Sequence, residues 1–186
     1  MCGIAGIYTS LTTSPKELNL VQQMLEVTKH RGPDNQGLWS DDQVVLGHNL
    51  LSIIGVGTGR QPMSNINKDI WITFNGEIYN YKEIRESLKI KGYFFRTETD
   101  TEVLIYLYQE YGLDLVNYIN GMFAFVIWDS KKKELIMFRD RLGVKPLFIL
   151  RNKKQIIFAS EIKAFKNLNI DLGGINPQAI INYLRF

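Results

Sequence analysis

Met122-Phe123-Ala124-Phe125-Val126-Ile127-Trp128 is apolar at seven successive positions. A strand with one wet face alternates apolar and polar residues, so a run of this kind needs cover on both faces. Three more strands are expected downstream, at Leu135 to Phe138, Leu147 to Leu150 and Gln155 to Phe158, joined by polar turns. Short turns connect antiparallel neighbours, which puts a second sheet on one side of the apolar strand and helices on the other. The expected fold is α+β, a four-layer αββα sandwich of two antiparallel sheets.

Upstream, Gly3 to Tyr8 reads as a strand, and Ser14-Pro15-Lys16-Glu17 is a capping box with proline at the first helical position. The helix it opens carries Leu18, Val21 and Leu25 on one stripe and runs to about Lys29. Strands are expected near Leu38 to Trp39, at Val44 to Ile54 and at Ile70 to Phe74, the last ending in an Asn75-Gly76 turn. Gly55 to Gly59 reads as a flexible loop suited to a lid; it lacks the Gly-Lys-Ser/Thr ending of a phosphate-binding loop. A second helix starts at Asn80 and stops at Gly92, and a third runs from about Thr99 to Tyr111. Helical turns follow at Glu161 to Phe165 and Pro177 to Leu184. The final helix breaks off as if a longer chain had been cut.

The whole chain, 186 residues with 45% hydrophobic and 22% charged content, fits one globular domain. Its net charge of +3 is mild, and Lys131-Lys132-Lys133 sits at a hairpin turn, so no nucleic-acid partner is expected. The opening apolar stretch is too short for a secretory core or a membrane span, which predicts a cytoplasmic protein without membrane attachment. With one cysteine there is no internal disulfide, and His30 and His48 lack the paired spacing of a metal site.

That cysteine is Cys2. Removal of Met1 would place its thiol and a free α-amino group on one residue. The amine titrates near pH 8, so at neutral pH a useful fraction can accept the thiol proton. Taken alone, Cys2 would be read as a small buried hydrophobe at a strand start. In the same way Asp100 alone would be a helix cap and Asn75-Gly76 an ordinary turn.

The surrounding pattern changes that reading. Met1-Cys2-Gly3-Ile4-Ala5-Gly6-Ile7, Arg31-Gly32-Pro33-Asp34, Gln61-Pro62-Met63, Phe74-Asn75-Gly76-Glu77-Ile78-Tyr79-Asn80 and Thr99-Asp100-Thr101-Glu102 occur in order. Gly121-Met122-Phe123-Ala124-Phe125, Arg139 to Leu147 and Phe158-Ala159-Ser160-Glu161-Ile162-Lys163 complete the series. Together they resemble the class II glutamine amidotransferase domain of asparagine synthetase-like proteins over nearly the whole chain. The resemblance implies an N-terminal-nucleophile hydrolase fold, L-glutamine as substrate and Cys2 as nucleophile. It implies an oxyanion hole from the Asn75 side chain and the Gly76 N–H, and Asp100 as acceptor for the substrate α-ammonium with Glu77 helping mainly through its backbone. Leu51 and Ile53 fall among the substrate-binding positions. Arg31 would hold loop geometry, while Arg139, Asp140, Arg141 and Lys145 would lie outside the glutamine pocket, as structure or interdomain interface. No cofactor is implied in this domain: ATP and magnesium belong to a C-terminal synthetase domain in cis. Association into a homodimer is left open.

One departure matters. The family places an arginine for the substrate α-carboxylate immediately before the matching Leu51-Ser52-Ile53, and here that position is Leu50. A charge-assisted contact of this kind contributes roughly 1.5 to 3 kcal/mol, about tenfold to a hundredfold in affinity. Three readings follow: weak glutamine binding, replacement of the missing charge by Arg60, or a catalytically impaired domain with a regulatory or structural role. A fourth is hydrolysis of another amide. A retained Met1 would turn the proposed base into an amide.

Overall fold

In the computed structural model, which describes residues 1–52, 59–166, 168, 174 and 176–185, the apolar run lies within strand β6, Gly121–Asp129. Its two faces belong to different cores. Phe123, Phe125 and Ile127 point into a cluster with Leu88, Leu104 and Leu107. Ala124, Val126 and Trp128 point the other way, against Ile4, Leu46 and Phe158. Both faces are covered, one by helices and one by a second sheet.

The strands preceding β6 are β1 (Gly3–Thr9), β2 (Asn35–Ser40), β3 (Val44–Leu50), β4 (Met63–Ser64) and β5 (Ile70–Ile78). Those following it are β7 (Glu134–Arg139), β8 (Phe148–Arg151) and β9 (Gln155–Ala159). They form a five-stranded sheet in the order β2-β3-β1-β9-β8 and a four-stranded sheet in the order β4-β5-β6-β7. Every pairing among them is antiparallel. Helices α2 (Tyr81–Ile90) and α3 (Asp100–Tyr111) cover the four-stranded sheet. Helix α1 (Pro15–Val27) covers the other through Val21, Met24 and Leu25. The result is the four-layer α+β sandwich.

Local rules account for most element boundaries. Helix α1 begins at the capping box formed by Ser14 and Glu17, with Pro15 in its first turn. It ends at Val27, and Lys29–Arg31 is a separate 3-10 turn. Asn80 precedes α2 without capping it: its side chain donates to Tyr118 O and accepts from Asn120 N, tying the helix to the approach of β6. Gly92 takes φ +93 after α2 and Gly112 φ +58 after α3, both left-handed values that favour glycine. Helix α4 (Pro177–Leu184) has no buried residue. No helix among the described residues is long and apolar enough to cross a membrane.

The sequence-based expectation fails at Asn75-Gly76. They do not form a turn; β5 continues through them to Ile78, with Asn75 opposite Ala124 and Gly76 opposite Phe123. The physical reason is close backbone approach, since a Cβ on Gly76 would lie 2.3 Å from Met122 O. A strand can run that tightly only with glycine there. The expected strand from Val44 stops at Leu50, and Ile53 and Ile54 lie outside the described residues, as does the glycine loop up to Thr58.

Because Phe125 is fully buried within a double-sided core, Phe125→Ala is expected to destabilise the chain by about 3 to 5 kcal/mol. The midpoint and slope of urea unfolding would measure it.

Candidate active site

The two sheets meet at a cavity of about 200 Å³ between the start of β1 and the end of β5. Cys2, Leu50 and Leu51 enter it from the five-stranded sheet, and Asn75, Gly76 and Glu77 from β5. Thr99, Asp100 and Thr101 come from the start of α3, and Met122 and Lys145 complete the far wall.

Cys2 is held on two sides. Its thiol accepts from Leu51 N at 3.4 Å and lies 3.6 Å from Leu51 O. Its carbonyl accepts from Arg31 Nε at 2.9 Å, and Arg31 Nη1 is anchored 3.0 Å from Glu161 Oε1. Burial alone would raise the Glu161 carboxyl, but hydrogen bonds from Lys163, Arg31 and His30 outweigh it and hold it at about 2. A charged strut therefore fixes the Cys2 backbone. Burial pushes the Cys2 thiol up from its usual value, the Leu51 N–H pulls the other way, and the charges of Glu77 and Asp100 add to the rise. A thiol in this setting stays protonated at rest and needs a base to become a nucleophile.

On the opposite wall the geometry of β5 supplies donors. Along its outer edge Phe74 N donates to the Gln61 side chain at 2.7 Å and Ile78 N to Asp100 Oδ2 at 3.1 Å. Gly76 lies two residues from each, so by the strand's two-residue alternation its N–H points to that same edge, away from β6. Asn75 Nδ2 is buried and has no hydrogen-bond partner among the described residues. Such an atom costs free energy unless a ligand satisfies it. Two unspent donors thus face one cavity from adjacent residues, the arrangement that stabilises a developing oxyanion.

Asp100 is placed by α3 and by a clamp behind it. Thr99 caps the helix by accepting from Glu102 N. Arg85 donates to Thr97 O and Thr99 O at 2.7 and 2.8 Å, while buried Glu102 accepts from Arg96 N and Thr97 N. Gln61 ties this segment to β5, its amide donating to both Thr101 Oγ1 and Phe74 O. Burial raises the Asp100 carboxyl to about 6, against the Ile78 N–H and with the help of the Glu77 charge. Burial raises Glu77 too, and the Lys145 charge opposes it.

Sequence reasoning brings Cys2, Asn75, Gly76, Glu77, Asp100 and Leu51 to this cavity, and the structure gathers all six there. Ile53 lies outside the described residues. Arg60 is exposed and does not line the cavity, although its neighbour Gly59 does. Lys145 corrects the expectation that its whole motif lies outside the pocket. Asp140 accepts from Phe123 N, Val144 N and Lys145 N, which folds the loop back and delivers the lysine into the cavity. Gln61, which the motif series includes without a role, and Arg85, which no local pattern marks, are positioning residues whose partners lie far along the chain.

Fold and site together define a class, the N-terminal-nucleophile hydrolase sandwich with a cysteine at its mouth. The chain belongs to the glutamine amidotransferase domain family, whose model, described as "Glutamine amidotransferase domain", matches residues 1–186. Among its relatives, asparagine synthetase (glutamine-hydrolyzing) 1 of Bacillus subtilis is 41% identical over 188 residues, covering 100% of this chain and 30% of that protein. Asparagine synthetase B (glutamine-hydrolyzing) of Escherichia coli is 37% identical over 165 residues, 88% of this chain and 30% of that protein. The chain thus spans about 30% of the length of these two relatives. Among solved structures, glutamine phosphoribosylpyrophosphate amidotransferase of B. subtilis superposes with a TM-score of 0.75 at 22% identity, over 90% of this chain and 43% of that one, a likeness of fold.

The raised carboxyl of Asp100 links stability to pH. The folded chain keeps that proton up to about pH 6, whereas an unfolded aspartate releases it near pH 3.9. The native state binds more protons across this window, so its stability falls as pH rises through it. Asp100→Asn, which keeps an acceptor for Ile78 N–H, is expected to gain on the parent by up to about 3 kcal/mol between pH 4 and 7, measured by urea unfolding at each pH.

Proposed function

We propose that this domain hydrolyses L-glutamine to glutamate and ammonia through a thioester on Cys2. Met1 is removed, and the freed α-amine takes the thiol proton as the sulfur attacks the side-chain amide carbon. The tetrahedral oxyanion is met by Asn75 Nδ2 and the Gly76 N–H. Collapse breaks the C–N bond, and the protonated α-amine returns its proton to the departing ammonia. Water, deprotonated by the same amine, then attacks the thioester, releasing glutamate and restoring the thiol. Asp100, with Glu77 beside it, receives the substrate α-ammonium.

The observation that carries this reading is the pair of unspent donors on Asn75 and Gly76 facing the cavity that holds Cys2. The raised thiol supports it, since a protonated sulfur requires the base that methionine removal supplies. The ammonia is used by a synthetase domain in cis, where ATP and magnesium activate a carboxylate acceptor, aspartate or a sugar carboxylate. The names of the relatives and their greater length support that context. The location proposed is cytoplasmic.

A second reading rests on Leu50, which lines the cavity as an apolar surface where the family resemblance calls for arginine. In that reading the domain binds glutamine too weakly to act and regulates or stabilises its synthetase partner.

Glutamate release from L-glutamine, by protein whose mass shows Met1 removed, separates the two. The glutaminase reading expects turnover that Cys2→Ala abolishes, a KM that Leu50→Arg lowers about tenfold or more, and a KM that climbs below pH about 6 as Asp100 takes up its proton. Correctly processed protein that is inert until Leu50→Arg restores turnover establishes the regulatory reading instead.

A further inference from the structure

We propose that Lys145 is the cationic anchor for the substrate α-carboxylate in this cavity, the role that Leu50 cannot fill. The inference rests on the glutamine-hydrolysing reading and names the residue that sets its substrate class. Lys145 is the single Lys or Arg among the described residues that line the cavity. It is only 6% exposed, so its charge is poorly solvated and calls for a counter-charge. No carboxylate among the described residues lies within ion-pair distance of it, and Glu77 feels its charge only from farther off. Lys145 takes part in none of the ion pairs there, and the polar contact of its Nζ is the Met1 thioether, 3.2 Å away. A thioether is a weak acceptor. Removal of Met1 takes even that contact away and leaves the ammonium free at the cavity wall.

The loop that carries it is built to hold it there. Its N–H donates to Asp140 Oδ2 at 3.0 Å and its carbonyl accepts from Arg139 Nε at 2.9 Å, so the backbone is pinned on both sides. The other cations nearby are committed or turned away. Arg31 gives its Nε to Cys2 O and its Nη1 to Glu161 and does not line the cavity, and Arg60 is exposed outside the lining. Glu77 and Asp100 bring two carboxylates to the same cavity. Two anions and one cation in a single cavity complement an α-amino acid, whose ammonium and carboxylate sit on one carbon. The substrate class is therefore a free α-amino acid side-chain amide, in preference to an amide whose α-carboxyl is blocked.

The test is calorimetric binding to Met1-processed Cys2→Ala protein, with L-glutamine and its neutral α-carboxamide as probes. Lys145→Met is expected to weaken L-glutamine binding about tenfold to a hundredfold, the worth of one charge-assisted contact. Affinity for the α-carboxamide is expected to stay unchanged, which also reports that the variant is folded. Lys145→Arg should keep most of the L-glutamine affinity, and Leu50→Arg added to Lys145→Met should recover it. Equal losses for both probes, or no loss for L-glutamine, overturn the proposal. If Cys2→Ala protein binds L-glutamine but the processed parent never releases glutamate, the hydrolytic reading falls and the anchor stands. If L-glutamine does not bind at all, both fall.

Discussion

Two sheets packed face to face, each sealed on its outer side by helices, are the constraint from which the site follows. The strand β6 has no polar face to give to water, so Phe123, Phe125 and Ile127 bury against α2 and α3 while Val126 and Trp128 bury against the other sheet. That packing brings the first residues of β1 opposite the last residues of β5. Cys2 and the Asn75-Gly76 pair therefore approach the cavity from different sheets, and their mutual position depends on how the sheets are registered. A buried polar tie helps to fix that register: Thr73 on β5 donates to Gly47 O and shares a hydrogen bond with His48 on β3. Burial holds His48 down at about 3, so the imidazole stays neutral and places no charge in the sandwich.

The outer edge of β5 is where structure becomes chemistry. An open strand edge presents unpaired N–H groups and is normally a liability. Here each is given a use. Gln61 takes Phe74 through both its donor and its acceptor, Asp100 takes Ile78, and the Gly76 N–H between them faces the cavity. Asp100 thereby closes a backbone bond and presents a carboxylate to the cavity.

Charge is distributed by the same economy. Glu161 lies outside the cavity but holds Arg31, which holds the Cys2 carbonyl, so the residue is fixed through its backbone rather than through its sulfur. Within the cavity, burial and the Glu77 charge raise the cost of ionising Asp100, while Lys145 offsets part of the burial cost at Glu77.

Much of this was legible in one dimension. The unbroken apolar run demanded cover on both faces, the turn lengths made the sheets antiparallel, and the motif series around Cys2, Asn75-Gly76 and Asp100 pointed to one chemistry. The capping box at Ser14 fixed where α1 begins, because its hydrogen bonds are local. What the sequence could not settle were contacts between residues far apart along the chain. Asn75-Gly76 looked like a turn because glycine there answers to Met122 O, more than forty residues away, and not to its neighbours. Lys145 looked like part of an interface motif, and only the fold of the Asp140 loop shows that its amine enters the cavity. Local hydrogen bonds and periodicity are written in adjacent residues; the wall of a cleft between two sheets is decided by tertiary packing, since it joins segments that adjacency cannot relate.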